Sequence, residues 1–286
     1  MKITKGTLKK LAGITAFLFT ALIFQACAPQ TDKIELGYVL WDSEIASTHV
    51  VAAVIQDRLG HEVSLTSVDA GPMWMGVARG NFDAIVAAWL PVTHEAYLEQ
   101  TSEDVINLGP NLDGARLGWV VPHYVPVNSI EELNEYKDEF DGKITGIDPG
   151  AGLMAASERV IEDYDLDYTL VSGSDAAMTA ALQRAIERQE WIVVTGWTPH
   201  WKFAAFDLKY LEDPKKSLGD IEHIATIVHP SLQEKAPDVY AFLDNFFWTS
   251  DDMAEVMMRI ENGLEPMDAA RAWIAENPEK VDSWLP

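Results

Sequence analysis

The sequence predicts an α/β fold of two lobes, each a mostly parallel sheet flanked by helices. The main observation is a strand–helix–strand–helix–strand pattern that occurs twice along the chain. The first copy runs from Gly37 to Trp89 and the second from Gly146 to Trp197, so both end in a tryptophan near a proline. Alternating strands and helices of this length form parallel βαβ units. A duplicated unit of this size therefore predicts two similar lobes.

The elements of the two copies follow the same order. In the first copy we predict a strand at Ile34–Leu40, helices at Ser47–Leu59 and Gly71–Arg79, and a closing strand at Ala84–Ala88. In the second copy we predict a strand at Lys143–Ile147, helices at Leu153–Tyr164 and Ser174–Arg188, and a closing strand at Trp191–Thr195. Ligands of such sheets collect beyond the carboxyl ends of the strands. The loops after these strands are therefore the first place to look for a site.

Two further apolar strands, each stopped by proline, lie outside the repeats. They are Gly118–Pro126 and Glu222–Leu232, and we interpret them as paired crossings by which the chain leaves the first lobe and later returns. The sequence after Gln233 has helical periodicity and is predicted to cover the first lobe. Lobe I then comprises residues 28–120 and 225–286, and lobe II comprises residues 121–224. Two lobes joined by two strands are the architecture that is typical of a hinged binding protein.

The N-terminus has the pattern of a signal peptide. Four lysines precede an apolar stretch from Leu11 to Phe24, which is too short for an ordinary spanning helix. The stretch ends at Cys27, the only cysteine in the chain, so no disulfide can form within it. A cysteine in this place resembles the bacterial lipobox, which predicts that residues 1–27 end at a lipidated Cys27. The alternative is a free cysteine in a leader.

The composition argues against several functions. The formal net charge is −24, and no basic run is present, so nucleic-acid binding is not expected. The chain also has no HExxH motif, no Cys/His ligand cluster and no Walker or GxGxxG motif. We therefore expect neither a metal nor a cofactor. A hydrolase remains a remote alternative, because Ser174 in VSGSDAAM is better explained as a helix N-cap.

Three of the ten tryptophans are candidates for a ligand site. Trp41, Trp89 and Trp197 are predicted to follow strands in both copies of the repeat and to face one cleft. Core packing is the alternative for each of them taken alone. Indole π faces attract a quaternary ammonium, which has no N–H to donate, and each contact contributes roughly 0.5–2 kcal/mol. The three tryptophans therefore predict a cage for such a cation.

A carboxylate could be held beside this cage. The loop DPGAGL runs into a predicted helix, where the N–H groups of Gly152 and Leu153 are free to bind an anion. His94, five residues after Trp89, could donate a further hydrogen bond. His200, three residues after Trp197, is the alternative candidate for this hydrogen bond.

Several segments are similar in sequence to the OpuAC-like glycine betaine-binding lipoproteins of osmoprotectant ABC importers. The segments are LGYVLWDSEIAST, VDAGPMW, AAWLPVTH, GIDPGAGLM, SDAAMTAAL and VVTGWTPHW, and they span nearly the whole mature chain. The resemblance implies a periplasmic-binding-protein-like fold and a prism of Trp41, Trp89 and Trp197 around a trimethylammonium group. It also implies carboxylate contacts from the amides of Gly152 and Leu153 and from His94. Some relatives carry the two lobe segments in the opposite chain order, and Leu153 stands where relatives have Ile.

The same resemblance implies a function and partners. We expect a monomeric, non-enzymatic lipoprotein, anchored outside the cytoplasm, that passes glycine betaine to an ABC permease and its ATPase subunit. Proline betaine, carnitine, ectoine and choline are alternative ligands. Choline lacks the carboxylate, so it would leave His94 and the predicted helix start without a partner.

Overall fold

In this computed structural model the described residues are 33–286, which excludes the predicted leader and Cys27. The strands are β1 Ile34–Tyr38, β2 Val63–Ser67, β3 Ala84–Leu90, β4 Ile106–Pro122, β5 Lys143–Thr145, β6 Thr169–Val171, β7 Val194–Thr198, β8 Leu208–Tyr210 and β9 Glu222–Val228. The helices are α1 Asp42–Val54, α2 Ala70–Ala78, α3 Glu95–Thr101, α4 Gly152–Asp163, α5 Asp175–Arg188, α6 Lys202–Ala205, α7 Leu232–Lys235, α8 Pro237–Asn245, α9 Ser250–Glu261, α10 Pro266–Glu276 and α11 Pro278–Asp282. A π-helical turn at Ile55–Leu59 continues α1, and a 3₁₀ helix spans Ile130–Tyr136.

The strands form one continuous sheet in the order β2-β1-β3-β9-β4-β7-β5-β6, with β8 beside β4. The parallel set β2-β1-β3 at one end repeats as β6-β5-β7 at the other, which is the duplication seen in the sequence. The predicted α/β class with two similar lobes is therefore confirmed. Below, the first lobe means the elements around β2-β1-β3-β9, and the second lobe means those around β7-β5-β6.

Strands β4 and β9 run antiparallel between the two parallel sets. Strand β4 pairs with β9 as far as Ala115 and with β7 from Arg116 onward, so one strand takes part in both lobes. Its pairing with β9 is interrupted by three register shifts between Asn107 and Ala115. The first half of β4 was not predicted as a strand. Its sequence, INLGPNLDGAR, contains glycine and proline, and both residues usually interrupt strands.

Helix α1 lies at the centre of the first lobe. It starts at Asp42, five residues before the predicted start, and the carboxylate of Asp42 in its first turn interacts favourably with the positive end of the helix dipole. One side of α1 packs on β3, and its other contacts include α9 and α10. Most of its residues are buried, which is consistent with a helix covered on two sides. The C-terminal helices therefore cover the first lobe.

None of the helices between residues 33 and 286 is both long enough and apolar enough to cross a bilayer.

Candidate ligand-binding site

A cavity lies between the two lobes, where the carboxyl ends of several strands meet. It is lined by Trp41, Trp89, Thr93, His94, Leu117, Ile147, Ala151, Gly152, Leu153 and Trp197. The six residues predicted for the site are all in this set. The walls come from both lobes, as expected for a ligand held in a cleft between them.

The three cavity tryptophans occupy different parts of their elements. Trp41 directly precedes α1, whereas Trp89 and Trp197 lie within β3 and β7 and not in loops after them. The reason is that each closing strand extends beyond its predicted end, to Leu90 and to Thr198. All three side chains are 5% exposed or less. The rings of Trp41 and Trp197 are 6.4 Å apart between centroids and inclined at 57°, so they form two walls of an angular cage.

Each indole N–H is bonded to a protein acceptor. Trp41 donates to Asp148 Oδ2 (3.0 Å) and Trp197 donates to Ser43 Oγ (3.2 Å), in both cases in the opposite lobe. Trp89 donates to Glu44 Oε1 (3.1 Å), within the first lobe. With the N–H groups occupied, the tryptophans offer a ligand only π faces and C–H edges.

Glu44, which holds Trp89, is itself completely buried. Burial raises its pKa to about 8, against the opposing effect of hydrogen bonds from Trp89 and Ser43. The carboxyl group is therefore neutral at pH 7. Its Oε2 atom has no hydrogen-bond partner among residues 33–286.

One ring nitrogen of His94 accepts a hydrogen bond from the backbone, and the other has no partner among residues 33–286. The N–H of Trp89 donates to Nδ1 (3.1 Å), so the proton of the neutral ring is on Nε2. Within the described part of the chain, Nε2 is buried without a partner. Burial lowers the pKa of His94 to about 3, which keeps the ring neutral at physiological pH. His94 therefore provides a buried N–H donor that lacks an acceptor, in a side chain that lines the cavity.

The start of helix α4 forms the opposite wall. The helix begins at Gly152, so the N–H groups of Gly152 and Leu153 have no acceptor within the helix. The first lobe approaches closely here, because a Cβ atom on Gly152 would lie 2.3 Å from the carbonyl oxygen of Thr93. The Thr93 segment is held in place by Glu222, which accepts from the N–H groups of Val92 (2.6 Å) and Thr93 (2.9 Å).

His200 does not line the cavity but belongs to a buried charge network beside it. Its Nε2 lies 3.1 Å from Asp175 Oδ1, and its Nδ1 accepts from the N–H of Lys202 (3.1 Å). Asp42 joins the network across the lobes, since its N–H donates to Asp175 Oδ2 (3.1 Å) and its carboxylate accepts from the indole of Trp201. The network favours His94 over His200 as the ligand contact.

The ionisation states in this network are set by burial and by the neighbouring charges. Burial raises the pKa of Asp42 to about 6 and lowers the pKa of His200 to about 4. The pKa of Asp175 is lowered because His200 and Lys202 outweigh the effect of burial. Asp42, Asp175 and His200 are close enough together to share a cation. Hydrogen bonds join the side chains of Asp175 and His200 to each other and to the backbone, and Lys202 beside them favours the carboxylate forms, so we interpret the group as a buried polar network.

Several residues of the site were not predicted. Thr93, Leu117, Ile147 and Ala151 line the cavity, and Ser43, Glu44 and Asp148 hold the indoles. Most of them stand next to a predicted site residue, in LWDSE, LPVTH and GIDPGAGL. Leu117 is not next to a predicted site residue. It lies in a part of β4 that was not predicted as a strand, so its place in the cavity wall could not be predicted either.

The fold and the cavity together define a two-lobed binding protein of the periplasmic type. A family model described as the substrate-binding domain of ABC-type glycine betaine transport systems (OpuAC) matches residues 32–276. The chain therefore belongs to the OpuAC family of substrate-binding domains.

The relatives agree with this assignment. The chain is 49% identical over 162 residues to the glycine betaine/carnitine transport binding protein GbuC of Listeria monocytogenes serotype 1/2a (strain 10403S). That match covers 56% of this chain and 53% of the relative, so the chain spans about half the length of this curated protein.

Two solved structures match over nearly all of the described residues. The closed-liganded conformation of lactococcal OpuAC with glycine betaine has a TM-score of 0.85 and 46% identity, covering 89% of this chain and 100% of that one. The glycine/betaine/L-proline-binding protein ProX of Borrelia burgdorferi has a TM-score of 0.85 and 35% identity, covering 89% and 97%.

Proposed function

We propose that this protein binds glycine betaine outside the cytoplasm and delivers it to an ABC importer, without changing it chemically. The observation that carries the proposal is the pairing of two kinds of surface in one cavity. Three indole rings whose N–H groups are already bonded line one part of the cavity. The unpaired N–H donors of His94 and of the start of α4 line another part. Glycine betaine has the matching halves, a trimethylammonium group and a carboxylate.

The trimethylammonium group binds between Trp41, Trp89 and Trp197. It has a diffuse positive charge and no N–H, so it gains from π faces and needs no acceptor. Exclusion of water strengthens the attraction, and the three rings are almost fully buried in this structure. An inorganic cation would lose its hydration shell on entering and receive no oxygen ligand from the indoles.

The carboxylate binds to His94 and to the start of α4. His94 donates from Nε2, and the amides of Gly152 and Leu153 donate without any positive side chain. Choline would leave these buried donors unpaired, which costs free energy. We therefore place glycine betaine ahead of choline, with proline betaine and carnitine as ligands that share both groups.

Closure of the two lobes completes the cage. Trp41 and Trp197 each donate to the opposite lobe, so neither ring has its observed partner when the lobes separate. We propose that the lobes bend where β4 passes from β9 to β7, between Ala115 and Arg116, and where the chain returns before Glu222. These points lie within a few residues of the sequence-based boundaries at 120/121 and 224/225. The ligand stabilises closure to the extent that it binds the closed form more tightly.

Partners and location follow from the same proposal. An ABC permease with its ATPase subunit would receive the ligand from the closed form at the outer face of the membrane. The proposed tether is the lipid on Cys27, which together with residues 1–27 lies outside the described residues. We propose that the protein acts as a monomer.

Calorimetric titration with glycine betaine, proline betaine and choline tests the function. Replacing Trp41, Trp89 or Trp197 by Ala should weaken glycine betaine by about 2 kcal/mol, roughly 30-fold in Kd, because one face of the cage is lost. Replacement by Phe should cost less. Trp191→Ala is a matched control, since Trp191 packs on Tyr136 and Phe140 and does not line the cavity. No heat of binding with the folded parent, or affinity equal to the parent's in all three folded Ala variants, would refute the proposal.

A further inference from the structure

Lys202 is a completely buried lysine beside the tryptophan cage. Its side chain has no exposed surface, and its Nζ has no hydrogen-bond acceptor among residues 33–286. The Nζ atom instead lies 4.1 Å from the centroid of the Trp197 ring, and the next aromatic ring, that of Phe203, is 5.8 Å away. A cation in this position interacts with the π system of the indole.

Trp197 lines the cavity, whereas Lys202 does not. A quaternary ammonium in the cavity and the Lys202 ammonium would therefore share one indole ring. Cation–π contacts extend to about 6 Å from a ring centroid, so the two positive charges would lie no more than about 10 Å apart. Both would be shielded from water, where like charges repel more strongly than at a surface.

The charged groups facing Lys202 come from three other places in the fold. Asp42 at the start of α1 and Asp175 at the start of α5 both favour the ammonium form. His200, in the turn before α6, is held neutral by burial and by the positive charge of Lys202. No acceptor in the described part of the chain bonds to Nζ, so the lysine is held only by packing and by these longer-range charges.

We propose that Lys202 sets the affinity of the cage for cations, because its ammonium form competes with a ligand ammonium for Trp197 and its neutral amine form does not. This inference rests on the proposed function, since it assumes a cationic ligand in the cage. It assigns a role to a residue that never touches the ligand.

The protonation of Lys202 makes this effect depend on pH. Burial lowers the pKa of Lys202 to about 7, although Asp175 and Asp42 oppose the change. The side chain is charged below this pH and neutral above it. Binding of glycine betaine should therefore become tighter as the pH rises from 6 to 8. By linkage, binding should also lower the pKa of Lys202 and release part of a proton near pH 7.

The variant Lys202→Met tests the proposal, because it keeps an unbranched apolar side chain and removes the charge. At pH 6 its Kd for glycine betaine should be lower than that of the parent by several-fold. Repulsion between two ammonium groups about 10 Å apart at an effective dielectric constant of about 20 amounts to roughly tenfold, and attraction of the ligand carboxylate, which is held at His94 and the start of α4, offsets part of it. At pH 9 the two proteins should bind alike. Lys209→Met in the same lobe is the control for loss of a peripheral positive charge, since Lys209 bonds to Asn128 near the surface.

A ligand that lacks the ammonium charge separates repulsion from packing. In the anion 3,3-dimethylbutanoate a carbon atom replaces the quaternary nitrogen of glycine betaine, so Lys202→Met should not strengthen its binding at pH 6 and should weaken it, because the Lys202 ammonium attracts the carboxylate. Equal or weaker glycine betaine binding by folded Lys202→Met at pH 6 would overturn the proposal, as would equal strengthening for both ligands. If the parent fails to bind glycine betaine at all, the proposed function is wrong.

A second measurement does not depend on the folding of Lys202→Met. Titration of Glu44→Gln, which retains Lys202, in two buffers of different ionisation enthalpy gives the number of protons released on binding. Release of a fraction of a proton at pH 7 with glycine betaine, and uptake instead of release with the anionic 3,3-dimethylbutanoate, is the expected result. No release with glycine betaine would overturn the inference.

Discussion

At the scale of single residues, the occupied indole N–H groups support the proposal that the cage binds a cation that cannot hydrogen-bond. Each indole N–H donates to one acceptor, which is Asp148 for Trp41, Glu44 for Trp89 and Ser43 for Trp197. The rings are thereby fixed in orientation, and only their apolar surfaces remain for a ligand. A ligand with N–H groups would find few acceptors there, so the same hydrogen bonds help to discriminate against it.

His94 should determine the preference for a carboxylate. We expect His94→Ala to weaken glycine betaine by about 1.5–3 kcal/mol, because a hydrogen bond to a charged group is lost, and to affect choline much less. The pKa of His94, lowered to about 3 by burial, means that this contribution should stay constant between pH 5 and 8. Titration of both ligands with the parent and the variant checks it. Equal losses for betaine and choline would indicate a structural role for His94 instead.

Glu44 should make the free energy of unfolding depend on pH. Its folded-state pKa of about 8 lies above its ordinary value of 4.5, so the protonated form favours folding. This contribution is complete below pH 4.5 and is lost as the pH rises through 8, by roughly 5 kcal/mol in all. Glu44→Gln retains an acceptor for Trp89 and should be more stable than the parent at pH 8 but not at pH 4.5. Denaturant unfolding without ligand measures the difference, and a constant difference between the two pH values would contradict the expectation.

At the scale of elements, the start of α4 is where the two lobes come closest. Gly152→Ala keeps the N–H proposed for the ligand but adds a Cβ atom 2.3 Å from the Thr93 carbonyl oxygen. Glu222 holds that segment, so the strain cannot relax easily. We expect a loss of about 1–3 kcal/mol in betaine binding, roughly 5- to 150-fold in Kd. Gly150→Ala is the matched control, since no atom lies within 4 Å of its added Cβ. Equal affinities of the two variants would show that the close approach is unimportant.

Elements with regular sequence patterns were the most predictable from the sequence. The duplicated strand–helix order, and the cavity-lining positions of Trp41, Trp89 and Trp197, follow from local periodicity and from the repeat. The course of β4 could not be foreseen, because its first half carries glycine and proline and depends on bulged pairing with β9. The contacts of Trp41 with Asp148 and of Lys202 with Trp197 depend on how side chains pack in three dimensions. Such contacts leave no periodic signal.

At the scale of the whole molecule, the division of the cage between lobes predicts closure on binding. Trp41, Trp89 and His94 belong to the first lobe, while Gly152, Leu153 and Trp197 belong to the second. Small-angle scattering should show the radius of gyration fall when saturating glycine betaine is added, because the lobes move together. Lysozyme with the same additive controls for changes in solvent contrast. An unchanged radius together with tight binding would mean that the cleft is preformed.

The bonds of Trp41 to Asp148 and of Trp197 to Ser43 also have an optical consequence. Six other tryptophans are buried in this structure, and Trp74, Trp119, Trp248, Trp273 and Trp284 of these are no more than 2% exposed. The surroundings of these five should change little when the lobes separate, whereas the cavity indoles would pass from a dry cleft into water and Trp201 would lose its bond to Asp42 in the opposite lobe. The intrinsic fluorescence of the protein therefore contains a reporter of closure, with emission shifting to shorter wavelength as the cavity indoles leave water. Every molecule carries this signal without a label, so the rate of closure can be followed by stopped-flow mixing.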